Sequence, residues 1–189
     1  MNKKYFETIK CDDYEVFNLE YHNKRIANTI GLNLNLQEYV YAPSNDLLRC
    51  KVIYTKEGIE DVQYFKYQKR EIKTFKIVNG DECDYSKKYL DRTCIDELFK
   101  QKEDADEIMI IKNGLLTDTS IANIAIFDGS SWITSKNPLL HGTTRARLLE
   151  DKTIFEKDIT LDMLKEAKKI ALMNAMIDFD IIEDYSLFL

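Results

Sequence analysis

The chain has 189 residues, enough for one large domain or two small ones and for a sizeable buried core. Its net charge of -6 argues against a nucleic-acid surface, which needs excess basic charge, and no apolar run is long enough to cross a membrane. Met1-Asn2-Lys3-Lys4 lacks the basic-apolar-small order of a secretory leader, so a cytosolic protein is expected. There the four cysteines, Cys11, Cys50, Cys83 and Cys94, are expected as reduced thiols, and their spacing fits no zinc pattern. His22 and His141 are the only histidines, which leaves no histidine-rich metal site.

In chain order, Tyr5 to Lys10 reads as a β-strand with Phe6, Thr8 and Lys10 on one face. Cys11-Asp12-Asp13 reads as a hairpin turn and Tyr14 to Leu19 as the returning strand. Glu20 to Leu32 reads as a helix, bounded by Asn18 or Asn33, and a second short helix is expected over Leu36 to Tyr41 before Pro43. Leu47 to Thr55 and Asp61 to Gln68 read as paired strands around Lys56-Glu57-Gly58, and Glu71 to Val78 as a further extended stretch. A domain boundary is expected near Gln68 to Lys73, giving a small domain over residues 1–70 and a larger one over 71–189.

Lys88 to Lys102 reads as a helix, with Leu90, Cys94 and Leu98 four residues apart. Glu107 to Lys112 is a short apolar strand, and Asn113-Gly114 is a hairpin signal. Ile121 to Phe127 and Ser131 to Thr134 read as strands around Asp128-Gly129. Helices are expected from Gly142 to Glu150 and, capped by Thr160, through Lys169; Ile170 to Asn174 and Ile177 to Ile182 close the chain as strands. Hairpin-connected strands with helices between them indicate an α+β fold with mostly antiparallel sheets.

Three short segments carry the candidate chemistry. Lys88, with Lys87 as its competitor, offers an amine that a desolvated setting turns into a nucleophile or base. Asp118 offers a carboxylate, although an aspartate beside a turn commonly bonds its own backbone. Gly142-Thr143-Thr144 reads either as a plain helix start or as a cradle of amides and hydroxyls for an anion. An amine, an acid and an anion cradle are the groups needed to hold pyridoxal phosphate: the amine as Schiff base, the acid at the pyridine nitrogen, the cradle at the phosphate.

Six motifs in order resemble the class IV aminotransferase family, the fold-type-IV pyridoxal-phosphate enzymes. Phe6-Glu7-Thr8-Ile9-Lys10 is similar to its FET-I-R strand, and His22-Asn23-Lys24-Arg25-Ile26 to its H-x-x-R-L helix. Lys88-Tyr89-Leu90-Asp91-Arg92 is similar to K-x-L-N-R. Thr117-Asp118 before Ala122-Asn123 is similar to T-E before A-N, with aspartate in place of the family's glutamate. Leu139 to Arg145 is similar to L-L-x-G-[IT]-T-R, and Met173-Asn174-Ala175-Met176 to the late N-A-M strand.

The resemblance implies two small α+β domains, a homodimer with each active site near the subunit interface, and a small-molecule amino substrate. It implies that Lys88 is the covalent anchor, that Asp118 pairs with the pyridine nitrogen, and that Gly142, Thr143, Thr144 and Arg25 hold the phosphate. Asn174 and Ala175 add contacts to phosphate or substrate, Tyr85 bonds the phenolic oxygen, and Asn123 organises its loop. Arg49 and Arg92 are candidates for a substrate carboxylate. Thr8 and Arg92 tilt the resemblance towards 4-amino-4-deoxychorismate lyase, which forms 4-aminobenzoate and pyruvate on the way to folate, with Thr8 assisting proton transfer. Transamination of branched-chain or D-amino acids, or a cofactor-binding protein without turnover, are the alternatives.

Overall fold

Strict alternation organises the first sheet. The structure, a computed structural model, describes residues 3–189; Met1 and Asn2, on which part of the leader expectation rests, lie outside it. In β1 (Tyr5–Asp12), Tyr5, Ile9 and Cys11 enter the core and Glu7 is buried beside them, while Phe6, Thr8 and Lys10 take the opposite face. The turn falls at Asp13 and Tyr14, with φ of 47° and 64°, one residue later than expected. The return strand β2 (Glu15–Val16) has two residues, because the chain leaves the sheet for helix α1 (Leu19–Ile30).

Helix α1 turns Tyr21, His22, Ile26 and Thr29 inward. Gly31, at φ 77°, ends it, and its N–H donates to the Ala27 carbonyl at 2.8 Å. Asn18 precedes the helix without a side-chain cap bond. A three-residue 3-10 turn, Leu36–Glu38, stands where a second helix was expected. Strands β3 (Leu48–Thr55) and β4 (Gly58–Lys66) complete an antiparallel sheet, which among the described residues has four strands in the order β2-β1-β3-β4. Burying the aliphatic side chains of the core beneath it, such as Ile9 and Val52 from the sheet, Ile26 from α1 and Leu36 from the 3-10 turn, contributes about 1.5–3 kcal/mol each.

The chain divides into two units. The first comprises residues up to Arg70 together with Lys87–Asp91; the second comprises Glu71–Ser86 and Arg92–Leu189. Residues 87–91, placed in the second domain by sequence, thus belong to the first unit. The Phe6 N–H donates to the Lys88 carbonyl at 3.0 Å and the Leu90 N–H to the Lys4 carbonyl at 2.9 Å, with Tyr89 bridged to Tyr5. This backbone pairing with β1 prevents the helix expected from Lys88: helix α2 is Thr93–Phe99, followed by a 3-10 turn at Lys100–Lys102.

In the second unit, β5 (Thr74–Asn79) runs parallel to β6 (Glu107–Lys112). Asn113 and Gly114, at φ 51° and 76°, turn β6 into β7 (Leu115–Thr119), a strand that sequence reading leaves out. A tight turn follows, in which Thr119 Oγ1 accepts from the Ile121 and Ala122 N–H groups, so β8 starts at Asn123 (Asn123–Phe127) rather than Ile121. Then come β9 (Trp132–Ser135), α3 (Thr143–Glu150), β10 (Ile154–Lys157), α4 (Leu161–Glu166), β11 (Ile170–Asn174), β12 (Asp178–Ile182) and β13 (Ser186–Phe188). Among the described residues these strands form one nine-stranded sheet. Thr160 Oγ1 accepts from the Met163 N–H at 3.3 Å and caps α4 as expected.

The fold is α+β with mostly antiparallel pairing, and β9–β10, β5–β6 and β5–β13 are the parallel pairs. Cys83 and Cys94 form a disulfide, their Cα atoms 5.7 Å apart, which corrects the expectation of four reduced thiols; Cys11 and Cys50 are buried and free. The two bonded cysteines flank residues 84–93, whose ends the second unit brings together. Among the described residues no helix is long and apolar enough to cross a membrane.

Candidate active site

In the first unit, Lys88 lies in the extended segment beside β1, its Nζ 4.7 Å from the centroid of the Phe6 ring. Its competitor Lys87 donates its Nζ to the Thr29 carbonyl at 2.6 Å. Thr8 stands two residues along β1 from Phe6 on the same face, directly across from Lys51 of β3.

On the other face of β1, Glu7 is fully buried and gathers four donors. Arg25 bonds it through Nε at 2.9 Å and through Nη2, His22 Nδ1 lies 2.6 Å from it, and the Tyr54 hydroxyl donates at 3.4 Å. Burial alone would raise the Glu7 pKa; the Arg25 charge and the His22 bond outweigh it and hold the carboxyl at about 2. Burial pushes the His22 imidazole below its ordinary value, so His22 is neutral at pH 7 and turns its Nδ1–H to the carboxylate. Its Nε2 is buried without a hydrogen-bond partner. Arg25, its side chain 12% exposed, is thus fixed from behind with an edge still at the surface. Sequence reading found Arg25 but missed the role of Glu7 and His22. The available signal was the His22–Arg25 spacing of three, which puts both on one helix side.

In the second unit, β7 and β8 meet at the pair Asp118–Asn123. Asn123 donates its Nδ2 to Asp118 Oδ1 at 2.7 Å and to the Leu140 carbonyl at 2.8 Å, and the Leu140 N–H donates to Asp118 Oδ2 at 2.8 Å. Asp118 is 4% exposed and lies within β7, the strand that follows the Asn113-Gly114 turn. Burial raises its pKa to about 6, against the lowering effect of these bonds and of the Arg145 charge. The carboxyl is therefore mostly ionised at pH 7 and held by neutral donors, an arrangement suited to a cationic N–H partner.

The same asparagine dictates Gly142. A Cβ built on Gly142 would stand 2.0 Å from Asn123 Oδ1, so glycine alone fits there. Gly142 leads into α3, whose first turn has no side-chain cap and holds the buried Thr143 and Thr144. An uncapped helix start leaves backbone N–H groups for an anion. Arg145, next in the motif, is structural: its Nη2 donates to the Ser135 carbonyl at 2.8 Å and to Glu156 Oε1 at 2.5 Å.

Tyr85 is buried, with the Arg92 guanidinium 5.8 Å from its ring centroid. Arg92 also donates to the Ser120 carbonyl at 3.0 Å and pairs with Asp96 at 3.4 Å. Asn174 donates to the Ile121 carbonyl at 3.2 Å and accepts from the Met176 and Ile177 N–H groups, fixing the turn that holds Ala175. Arg49, on β3, has its guanidinium 5.0 Å from the Phe65 ring centroid. Within the first unit the structure gathers Lys88, Thr8 and Arg49 on or beside one sheet face, with Arg25 on α1. Within the second it joins Asp118, Asn123 and Gly142 directly.

A family model for amino-transferase class IV matches residues 86–182. An uncharacterized protein of Haemophilus influenzae is 37% identical over 182 residues, covering 90% of this chain and 96% of that protein. A crystal structure from Haemophilus somnus, named as a candidate 4-amino-4-deoxychorismate lyase, superposes with a TM-score of 0.84 at 35% identity, over 93% of this chain and 97% of that one. The PLP-bound form of a hypothetical aminotransferase from Mycobacterium tuberculosis shares the fold, with a TM-score of 0.77 at 16% identity, over 98% of this chain and 81% of that one.

Proposed function

The chain belongs to the amino-transferase class IV family, and on that premise we propose that it is a pyridoxal-phosphate-dependent lyase converting 4-amino-4-deoxychorismate to 4-aminobenzoate and pyruvate. The observation that carries the cofactor reading is Asp118, a buried carboxylate held by neutral donors with its pKa near 6. Each unit supplies donor types that the group needs: the first an amine at Lys88 and a guanidinium at Arg25, the second an acid at Asp118 and an uncapped helix start after Gly142. When bound, pyridoxal phosphate supplies an electron sink for a carbanion at the substrate's amine-bearing carbon.

The residues divide the work. Lys88 is the covalent anchor and the base that moves the proton at that carbon, beside the apolar Phe6 ring. Asp118 would keep the ring nitrogen of the bound group protonated, and Asn123 orients Asp118. The N–H groups and hydroxyls of Thr143 and Thr144, and the guanidinium of Arg25, would hold the phosphate, and Asn174 and Ala175 would add contacts to phosphate or substrate. Tyr85 would bond the phenolic oxygen. Thr8 hands a proton to the departing group, and Arg49 and Arg92 attract substrate carboxylate. Loss of the proton and departure of pyruvate leave the ring aromatic, so the carbons of the substrate divide between the two products without an oxidant. On this reading the protein acts as a homodimer in the cytoplasm, where the Cys83–Cys94 bond would be open to reduction.

The lyase reading rests on the 35% identity to the Haemophilus somnus protein across nearly both chains. Given 4-amino-4-deoxychorismate, the cofactor-loaded protein is expected to release 4-aminobenzoate and pyruvate in equal amounts. In parallel, branched-chain and D-amino acids with 2-oxoglutarate are expected to yield no glutamate. Glutamate without 4-aminobenzoate would replace the lyase by an aminotransferase, and neither product from loaded protein would leave a cofactor-binding protein without turnover.

A further inference from the structure

The face of the first unit's sheet that carries Phe6, Thr8 and Lys10 has no assigned role beyond Thr8 and Arg49. Its chemistry follows from register. Thr8 pairs with Lys51, Lys10 with Arg49, and Phe6 with Ile53. Because Leu48, Cys50, Val52 and Tyr54 enter the core, Arg49 and Lys51 share the outer face with Thr8. The contacts agree: Lys51 Nζ lies 5.5 Å from the centroid of the Phe6 ring, the ring that also carries Lys88 Nζ at 4.7 Å.

This is a basic surface on an acidic chain. Lys10, Arg49, Lys51 and Lys88 share it or border it, although the chain's net charge is -6. Lys10 is compensated by Asp12 at 3.3 Å. Among the described residues Arg49 and Lys51 have no carboxylate within 4 Å; the contacts they make are with the Phe65 and Phe6 rings. A protein that pairs its surface lysines elsewhere, as Lys4–Glu60 and Lys169–Glu183 show, leaves these two cations uncompensated, Lys51 directly across from Thr8 and Arg49 across from Lys10. Aromatic rings hold both side chains in place, which lowers the entropic cost of gathering them on an anion.

We propose that Lys51 and Arg49 form a carboxylate subsite next to Lys88 and Thr8, which selects small substrates bearing more than one carboxylate. The identity of the substrate rests on the lyase reading, since 4-amino-4-deoxychorismate carries two carboxylates where a simple amino acid carries one. Lys51 is then a specificity-determining residue: it binds the carboxylate farther from the reacting carbon, and Arg49 offers its planar fork to the same anion. The subsite is half-open to solvent, so its affinity falls with salt.

The test uses isophthalate, an aromatic dicarboxylate that the enzyme cannot turn over, titrated calorimetrically into the purified protein at low and high salt. Lys51→Gln and Arg49→Gln are each expected to weaken binding about tenfold, and Lys165→Gln, which removes the same charge from α4, is expected to leave it unchanged. With 4-amino-4-deoxychorismate, Lys51→Gln is expected to raise KM about tenfold with kcat within about twofold of wild type. Equal weakening in Lys165→Gln, unchanged binding in Lys51→Gln and Arg49→Gln, or no isophthalate binding by the wild type would overturn the subsite. Probe binding needs no turnover, so a failed lyase assay with probe binding intact overturns the reaction and leaves the subsite standing.

Discussion

Glu7 holds Arg25 by two side-chain bonds from a fully buried position, so the guanidinium is set by the first strand rather than by its own helix. Removing one partner of a buried ion pair leaves the other charge uncompensated, at a cost of roughly 3–5 kcal/mol. Glu7→Gln is expected to lose stability of that order in urea unfolding at pH 7. The sign with pH follows from the depressed pKa. The contribution is complete above the unfolded value of 4.5 and is lost as pH falls through about 2. The difference between wild type and Glu7→Gln should therefore shrink across that window; a constant difference would show that the ion pair is not its source.

Arg25→Ala tests the other end of that pair. Loss of one charge-assisted bond to a phosphate is expected to weaken cofactor binding about tenfold or more. Fluorescence titration with pyridoxal phosphate measures it, and an unchanged dissociation constant would remove Arg25 from the phosphate site.

Gly142→Ala forces Asn123 to move, because the new methyl would stand 2.0 Å from its Oδ1. Asn123 then loses its bonds to Asp118 and to the Leu140 carbonyl. Cofactor affinity is expected to fall about tenfold or more, with Asn123→Ala giving a similar loss, since both variants remove the Asn123 bond to Asp118. Wild-type affinity in Gly142→Ala would mean that the asparagine does not orient the carboxylate.

Asp118 gives a pH signature of the opposite sign to Glu7. Its folded pKa of about 6 lies above the ordinary 3.8, so the folded protein binds more protons between these values. Stability of the cofactor-free protein should decline by roughly 2–3 kcal/mol as pH rises from 4 to 6 and level off above. Cofactor binding should weaken as pH falls through about 6, when the carboxyl loses its charge. Asp118→Asn should flatten the stability change in thermal melts; a slope that survives the substitution would assign it to another group.

The sequence exposed the parts of this fold whose signals are local. The period-two pattern of Tyr5 to Cys11 reports a half-buried strand because the sheet has one core face, and Asn113-Gly114 marks its hairpin because both residues tolerate positive φ. Segments set by distant partners were not legible. Lys88 to Leu98 carries helical spacing, yet the backbone of Lys88 and Leu90 is bonded to β1 across more than eighty residues of chain, and tertiary pairing overrides the pattern. Strand β7 hides because Thr117, Asp118 and Thr119 look like a loop; their polarity serves buried hydrogen bonds. The motif residues of the candidate site were readable as chemistry, but Glu7 was not. A glutamate in an alternating strand looks like a solvated position until His22 and Arg25 are placed against it.

On the proposed function, Lys88 carries pyridoxal phosphate. Lys88 lies against the Phe6 ring on the face that bears Thr8, and Lys87 donates to the Thr29 carbonyl. Borohydride treatment of the cofactor-loaded protein, followed by proteolysis and mass mapping, reads the attachment site directly. The account predicts the reduced cofactor on Lys88 and its absence in Lys88→Ala; label on Lys87, or on no lysine in protein that still binds the cofactor, would contradict it.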